Sequence, residues 1–245
     1  MSLHRAWDPS PEKLPPQDAL KLGDIHGVLP YAGSRNPLAR SSASHKIITT
    51  FATPADGFKR RLYHFESSLE YSVALEAMLS GECHGLEIQL PAVRYPWRGK
   101  WKNHYFDLRI TRSDGQRIAV FVRNDASLAR VSTQEEIEAI FSYIPAGFCD
   151  EAVVIGSSHY SRVQQENLRR IWEATQKPDA DADADDVVLR AAQIGTFWDI
   201  EGLIDQCVIP RARAWRAVLR LIGERRLIAD WHAMIDYPSR ISFAA

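Results

Sequence analysis

Apolar residues recur along this chain in two rhythms, every second position and every third or fourth, and the changes between them outline the elements. The run Lys46-Ile47-Ile48-Thr49-Thr50-Phe51 reads as a strand, Pro54-Ala55-Asp56-Gly57 as a turn, and 58–65 as the returning strand. Helical spacing follows. Leu69, Val73 and Leu79, with Ala74 and Ala77 between them, give one apolar stripe, and Gly81 is a natural stop. A strand over 86–90 comes next. Over 105–110 the alternation puts Asp107 on the face opposite Phe106, Leu108 and Ile110. Ser113-Asp114-Gly115-Gln116 is a hairpin turn into the strand 118–123, where Phe121 and Arg123 share a face. A helix from Ser132 to Tyr143 (Ile137, Ile140 and Phe141 on one stripe), a buried parallel strand over 151–156 and a helix over 160–175 complete this unit. The order helix, three strands, helix, strand, helix predicts an α/β fold with a mixed sheet flanked by helices.

The flanks are patterned differently. Residues 1–45 are dense in proline and small polar residues and read as an extended N-terminal arm. At 177–186, aspartate alternates with alanine after a proline; such a run buries no face, and its charges repel, so it reads as an acidic linker. It lacks the glycine and the distal bidentate glutamate of a calcium loop. The core unit is therefore expected over 46–176. Residues 187–245 then form a small second domain, with helices at 188–194, 198–207 and 211–223 and a strand, turn and strand over 227–241. Three helices and a ribbon are the winged-helix pattern.

At 245 residues the chain has room for one large domain or two modest ones. The formal net charge of −1 gives no overall basic field, so any nucleic-acid surface must come from local segregation of charge. Cys83, Cys149 and Cys207 show no metal-ligand spacing and are too few for a disulfide framework, which fits a reducing cytoplasm. No secretory leader and no apolar run of membrane-spanning length is read in the sequence.

Local clusters carry the candidate chemistry. Lys59, Arg60 and Arg61 precede the acid-bearing helix and suit phosphate contacts or a charged strand edge. Arg213, Arg216 and Arg220 line one side of the last helix and suit a groove, a partner protein or solvent. The segment 95–104 mixes Trp97 and Trp101 with Arg98, Lys100 and Lys102 in a strand-to-strand loop that could track a nucleic-acid backbone, or equally be a hairpin tip whose tryptophans pack back onto the sheet, the commoner outcome. Ser67 and Glu70 are spaced as a capping box, which alone accounts for Glu70. Glu66, one turn earlier, is a substitute acid, and Gln89 is a further polar candidate. An aspartate amid aromatic and apolar strand residues calls for compensation, and Asp107 could find it in an ion pair with Arg109, Arg123 or another base on the same face, or in a cation.

The words "ESSLE" at the helix start and "YFDLRITRSDGQRIAVFVR" for strand, turn and strand resemble the PD-(D/E)xK nuclease core, in particular the endonuclease domain of the TnsA family, the partner nucleases of heteromeric cut-and-paste transposons. The resemblance covers about residues 45–175, with a weaker echo in the last sixty. It implies Mg²⁺ on Glu70 and Asp107, with Arg123 as the terminal base near the attacked phosphate. The sequence departs from the family at two places. Phe121 stands where a Glu or Gln ligand is expected, and Arg123 is a planar fork in place of a lysine ammonium. The expected function is DNA binding and metal-dependent phosphodiester cleavage, with DNA and a transposase or ATPase as partners. The alternative is a non-catalytic DNA-binding or assembly subunit that has kept the fold and lost the metal. Phe121 separates the two.

Overall fold

The computed structural model describes residues 18–39, 46–176 and 182–244. The arm contributes β1 (Val28–Leu29). The predicted hairpin is present as β2 (Ile47–Ala52) and β3 (Arg60–Phe65), with Ile47 opposite Phe65 and Ala52 opposite Arg60. β1 pairs parallel with the start of β3, giving a small sheet of order β1-β3-β2. The described part of the arm is therefore tied to the body through backbone hydrogen bonds.

The larger sheet follows from α1 (Ser68–Leu79) onward. β4 (Cys83–Ile88) is separated from β7 (Leu108–Arg112) by an inserted hairpin, β5 (Val93–Trp97) and β6 (Lys100–His104). β8 (Arg117–Arg123), the short α2 (Asp125–Leu128), α3 (Val131–Ser142), β9 (Glu151–Gly156) and α4 (Arg162–Thr175) complete the unit. The sheet order is β4-β7-β8-β9, antiparallel except for the β8–β9 pair. That parallel pair needs a long crossover, and α2 and α3 supply it.

β8 shows how the two-residue period builds two layers. Ile118, Val120 and Val122 pack with Phe51, Leu75 and Trp172 beneath α1 and α4, while Ala119 and Phe121 pack with Phe106 and Ile140 beneath α3. Phe51 is fully buried, with Tyr63 at 5.2 Å and Trp172 at 5.1 Å between ring centroids. Each such ring contributes roughly 1.5–3 kcal/mol by its withdrawal from water. The result is a mixed α/β unit with helices on both faces of its main sheet.

The structure corrects the sequence reading at Asp107 and in the acidic linker, and decides it at 95–104. First, Asp107 is not inside a strand: the chain bends there, β7 starts at Leu108, and Phe106 packs beneath α3 while Leu108 and Ile110 face the other layer. Second, of the two readings of 95–104 the hairpin is the one present, although Trp101 does not pack back onto the sheet. Val93 pairs with His104 and Trp97 with Lys100, and Arg98 (φ 48°) and Gly99 (φ 75°) form a two-residue turn of the type that matches hairpin twist. Val93, Tyr95 and Trp97 alternate along β5, and Pro96 is tolerated because this two-stranded ribbon is all edge.

Third, the acidic linker read at 177–186 ends early. Residues 177–181 lie outside the described residues, but 182–186 open α5 (Ala182–Ile194). Alanine is the best helix former, and Asp183 and Asp185 in the first turn complement the helix dipole. The last sixty residues build a hydrophobic cluster largely of their own, onto which α4 packs. α5, α6 (Ile200–Asp205), α7 (Arg211–Gly223) and the antiparallel ribbon of β10 (Leu227–Ala229) and β11 (Ile241–Phe243) bury Val188, Leu203, Val218 and Leu221 together with Ile171 and Ala174 of α4. Among the described residues no helix is long and apolar enough to cross a membrane.

Candidate functional site

The N-terminus of α1 supplies the first acid. Ser67 caps the helix by accepting the Glu70 N–H (3.2 Å), and its hydroxyl donates to Glu70 Oε1 at 3.0 Å. The other oxygen, Oε2, accepts the Glu66 N–H at 2.9 Å. The cap is thus real, and it also holds the Glu70 carboxyl, which is buried, in one orientation. The second acid comes from the bend before β7. Asp107 Oδ2 accepts the Val122 N–H at 2.8 Å, so the side chain is pinned to the end of β8.

These two carboxyls and Arg123 line a single cavity of about 800 Å³, between the start of α1, the end of β8, the inner side of the β5–β6 hairpin and α3. Burial pushes the Asp107 carboxyl up to about 8, with the Glu70 charge adding in the same direction; the Val122 amide and Arg35 oppose this only partly. Glu70 is likewise raised by burial, against its two hydrogen bonds. Two acids that each resist ionising face one enclosed volume.

Arg123 does not neutralise them. Its Nε donates to Ser127 Oγ at 3.3 Å, its guanidinium lies 5.8 Å from the centre of the Phe121 ring, and among the described residues it forms no ion pair with either acid. Arg109 is also committed elsewhere, to Glu87 at 2.7 Å and to the Phe148 carbonyl. The internal ion-pair account of Asp107 through Arg109 or Arg123 is therefore corrected. The cations nearest the acids are ones the sequence did not point to. Arg35, from the arm, donates to Glu66 Oε2 at 3.0 Å and to Gln89 Oε1, and lies over the Tyr105 ring. Lys46 pairs with Glu66 at 3.3 Å. Glu66 is accordingly a paired residue at the rim, and Gln89 is buried and bound to Arg35.

His104 was also missed. It lines the cavity from β6, its ring edge-on to Phe106 (4.8 Å) and Phe121 (4.4 Å), and its Nε2 is buried without a hydrogen-bond partner. Burial, Arg123 and Arg35 hold its imidazole down to about 4, so it is neutral at ordinary pH.

The basic clusters lie elsewhere. Lys59, Arg60 and Arg61 stand at the opposite end of β3 from Glu66, and the strand spans roughly 15–20 Å at ~3.3 Å per residue. Arg61 is tied to Asp56 at 2.6 Å and Arg60 to Thr50 at 3.2 Å. These residues do not line the cavity, and of their two expected roles the charged strand edge is the one their ion pair and hydrogen bond fit. The arginine side of α7 is not one surface either. Arg216 is exposed and Arg213 half-buried, whereas Arg220 is buried and paired with Asp185 of α5 at 2.6 Å.

Among the described residues no group of three or more His, Cys, Asp or Glu side chains comes together as a metal site, in keeping with the phenyl ring at 121. Two carboxylates nonetheless fit a hard divalent cation. Mg²⁺ keeps several waters and is commonly held by one or two carboxylates together with substrate phosphates, and two acids with raised pKa values gain from a positive charge between them. No protein-family model matches the chain, and no curated protein matches it.

Proposed function

We propose that the protein binds and processes DNA, with the cavity beneath Glu70 and Asp107 as a PD-(D/E)xK-type site resembling that of the TnsA endonucleases. The observation that carries this reading is the pair of buried carboxyls, brought from a helix start and a strand end to one cavity and both raised in pKa. The order α1, β4, β7, β8, α3, β9 supports it, because it is the order of that nuclease core with the β5–β6 hairpin inserted. When bound, Mg²⁺ would supply Lewis-acid polarisation of a phosphodiester and a more acidic water. Glu70 and Asp107 would hold it, the Ser67 hydroxyl and the Glu66 and Val122 amides would fix their oxygens, and Arg123 would grip a phosphate through its planar fork. The three helices and ribbon at the C-terminal end would serve as a winged-helix-like module for DNA or for a transposase or ATPase partner. Three unpaired cysteines suit work in the cytoplasm.

The second reading, a non-catalytic DNA-binding or assembly subunit, is favoured by one residue. Phe121 lines the cavity where a third oxygen ligand would be needed. Calorimetric titration with Mg²⁺ and Mn²⁺, and nicking of supercoiled plasmid by the wild type and Asp107→Ala, decide between them. Metal-dependent nicking that Asp107→Ala abolishes supports cleavage. DNA binding without nicking leaves the subunit, and absence of both metal and DNA binding removes the proposal.

A further inference from the structure

The inserted hairpin has a composition that the cavity alone does not explain. Between Val93 and His104 it carries Arg94, Arg98, Lys100 and Lys102 and no acidic residue. Pairing of Tyr95 with Lys102 and of Pro96 with Trp101 sorts its side chains onto two faces. The inner face is anchored. Val93 and Tyr95 are buried, the Tyr95 hydroxyl donates to Glu136 at 2.7 Å, and Lys102 pairs with the same carboxylate at 2.8 Å. Tyr95, Asn103 and His104 from this hairpin also form one wall of the cavity that holds Glu70 and Asp107.

The outer face and tip are left open. Arg94, Arg98 and Lys100 are exposed and have no carboxylate partner among the described residues; the two arginines lie instead over the Trp101 (5.1 Å) and Trp97 (5.3 Å) rings. Trp101 is 57% exposed and stands edge-on to Tyr143, itself 47% exposed, at 5.9 Å. Exposed rings cost free energy in water, the cations beside them have no carboxylate to neutralise them, and the combination matches one kind of ligand. Unpaired bases offer faces to rings, and the phosphates between them take up the cations. An intact duplex keeps its base faces stacked inside and offers only the charge.

We infer that the β5–β6 hairpin is a platform for unpaired nucleic acid, with Trp101 stacking on a base and Arg94, Arg98 and Lys100 on the backbone, leading the strand into the acidic cavity. The inference rests on the DNA-processing reading above and specifies the form of the substrate.

Fluorescence anisotropy with a labelled oligonucleotide, single-stranded and as a duplex, tests it across a range of salt. The full chain is expected to favour the single strand. Trp101→Ala should weaken that binding by about tenfold, and Trp101→Phe, which keeps a ring, should restore most of it. The triple change Arg94→Gln, Arg98→Gln, Lys100→Gln should reduce the slope of log Kd against log salt by about 2, at ~0.7 per lost single-strand phosphate. All substituted side chains are exposed, and unchanged melting temperatures will show that the fold is retained. Preference for duplex, or single-strand binding that neither set of changes affects, overturns the hairpin assignment and leaves the DNA reading standing. Absence of binding to either form at low salt overturns both.

Discussion

Glu70 and Asp107 at one end of the main sheet and Arg220 in the C-terminal helices are all withdrawn from solvent, but their surroundings differ in sign. Arg220 meets Asp185 through two nitrogens, at 3.0 and 2.6 Å, in a pair that closes the α5–α7 packing and neutralises itself. Glu70 and Asp107 meet each other's charge, and the nearest cations stop at the rim on Glu66 and Gln89. A buried ion pair is satisfied by the fold and asks for nothing more. A buried pair of acids has its positive counterpart missing from the fold, and that deficit marks a place for a ligand. The contrast also separates the arginines that sequence spacing grouped together: Arg220 is architecture, whereas Arg123 faces the cavity.

Breaking the neutralised pair gives the largest effect. Arg220→Ala leaves the partly buried Asp185 without its partner and is expected to cost about 2–4 kcal/mol in urea unfolding, whereas Arg220→Met combined with Asp185→Leu should recover most of it. A loss below about 1 kcal/mol for the single change would mean the pair is not part of the architecture.

The unneutralised pair should respond in the opposite sense. The raised Asp107 carboxyl keeps its proton in the folded protein up to about 8, while the unfolded chain releases it in the ordinary carboxylate range. The folded state thus binds more protons in that window, and stability falls as pH rises through it. Asp107→Asn should flatten this dependence and gain on the order of 1–2 kcal/mol at pH 8, one pKa unit being about 1.4 kcal/mol. Thermal melts from pH 5 to 8 read this directly. Added Mn²⁺ should raise the wild-type midpoint more at pH 8 than at pH 5, because only the ionised acids bind it. A wild-type melt independent of pH would remove the contrast.

Smaller effects refine it. Phe121→Glu with Arg123→Lys supplies the oxygen and the compact cation missing from the cavity, and Mn²⁺ affinity by calorimetry should rise about tenfold, or about 1.4 kcal/mol. Unchanged affinity would show that position 121 does not face the ion. Smallest of all is Arg216→Ala, exposed on α7, which should stay within about 0.5 kcal/mol of wild type and so isolate the burial of Arg220 as the cause of its effect.

Much of the architecture could be read in advance because it depends on near neighbours. Strand alternation in β8, the Ser67–Glu70 cap and the hairpin of β2 and β3 are relations across two, three or a dozen residues. That residues 70, 107 and 123 meet at one cavity was expected from the resemblance to a nuclease core, not from local pattern. Whether 95–104 is a loop or a hairpin was left open by its mixed residues, and the start of α5 was missed because aspartate spacing outweighed alanine propensity.

Local pattern in the chain was enough for the kind of most elements and for the mixed sheet, while Glu70 and Asp107 were singled out by the resemblance to a nuclease core. Packing alone settled which charges are satisfied. Arg35 reaches Glu66 and Gln89 across 31 and 54 residues, Arg123 turns to Ser127, and Arg220 is buried on Asp185. The reason is physical: periodicity follows from backbone geometry repeated over neighbours, whereas the energy of a charge depends on everything that excludes water around it, and that is known only once distant segments meet.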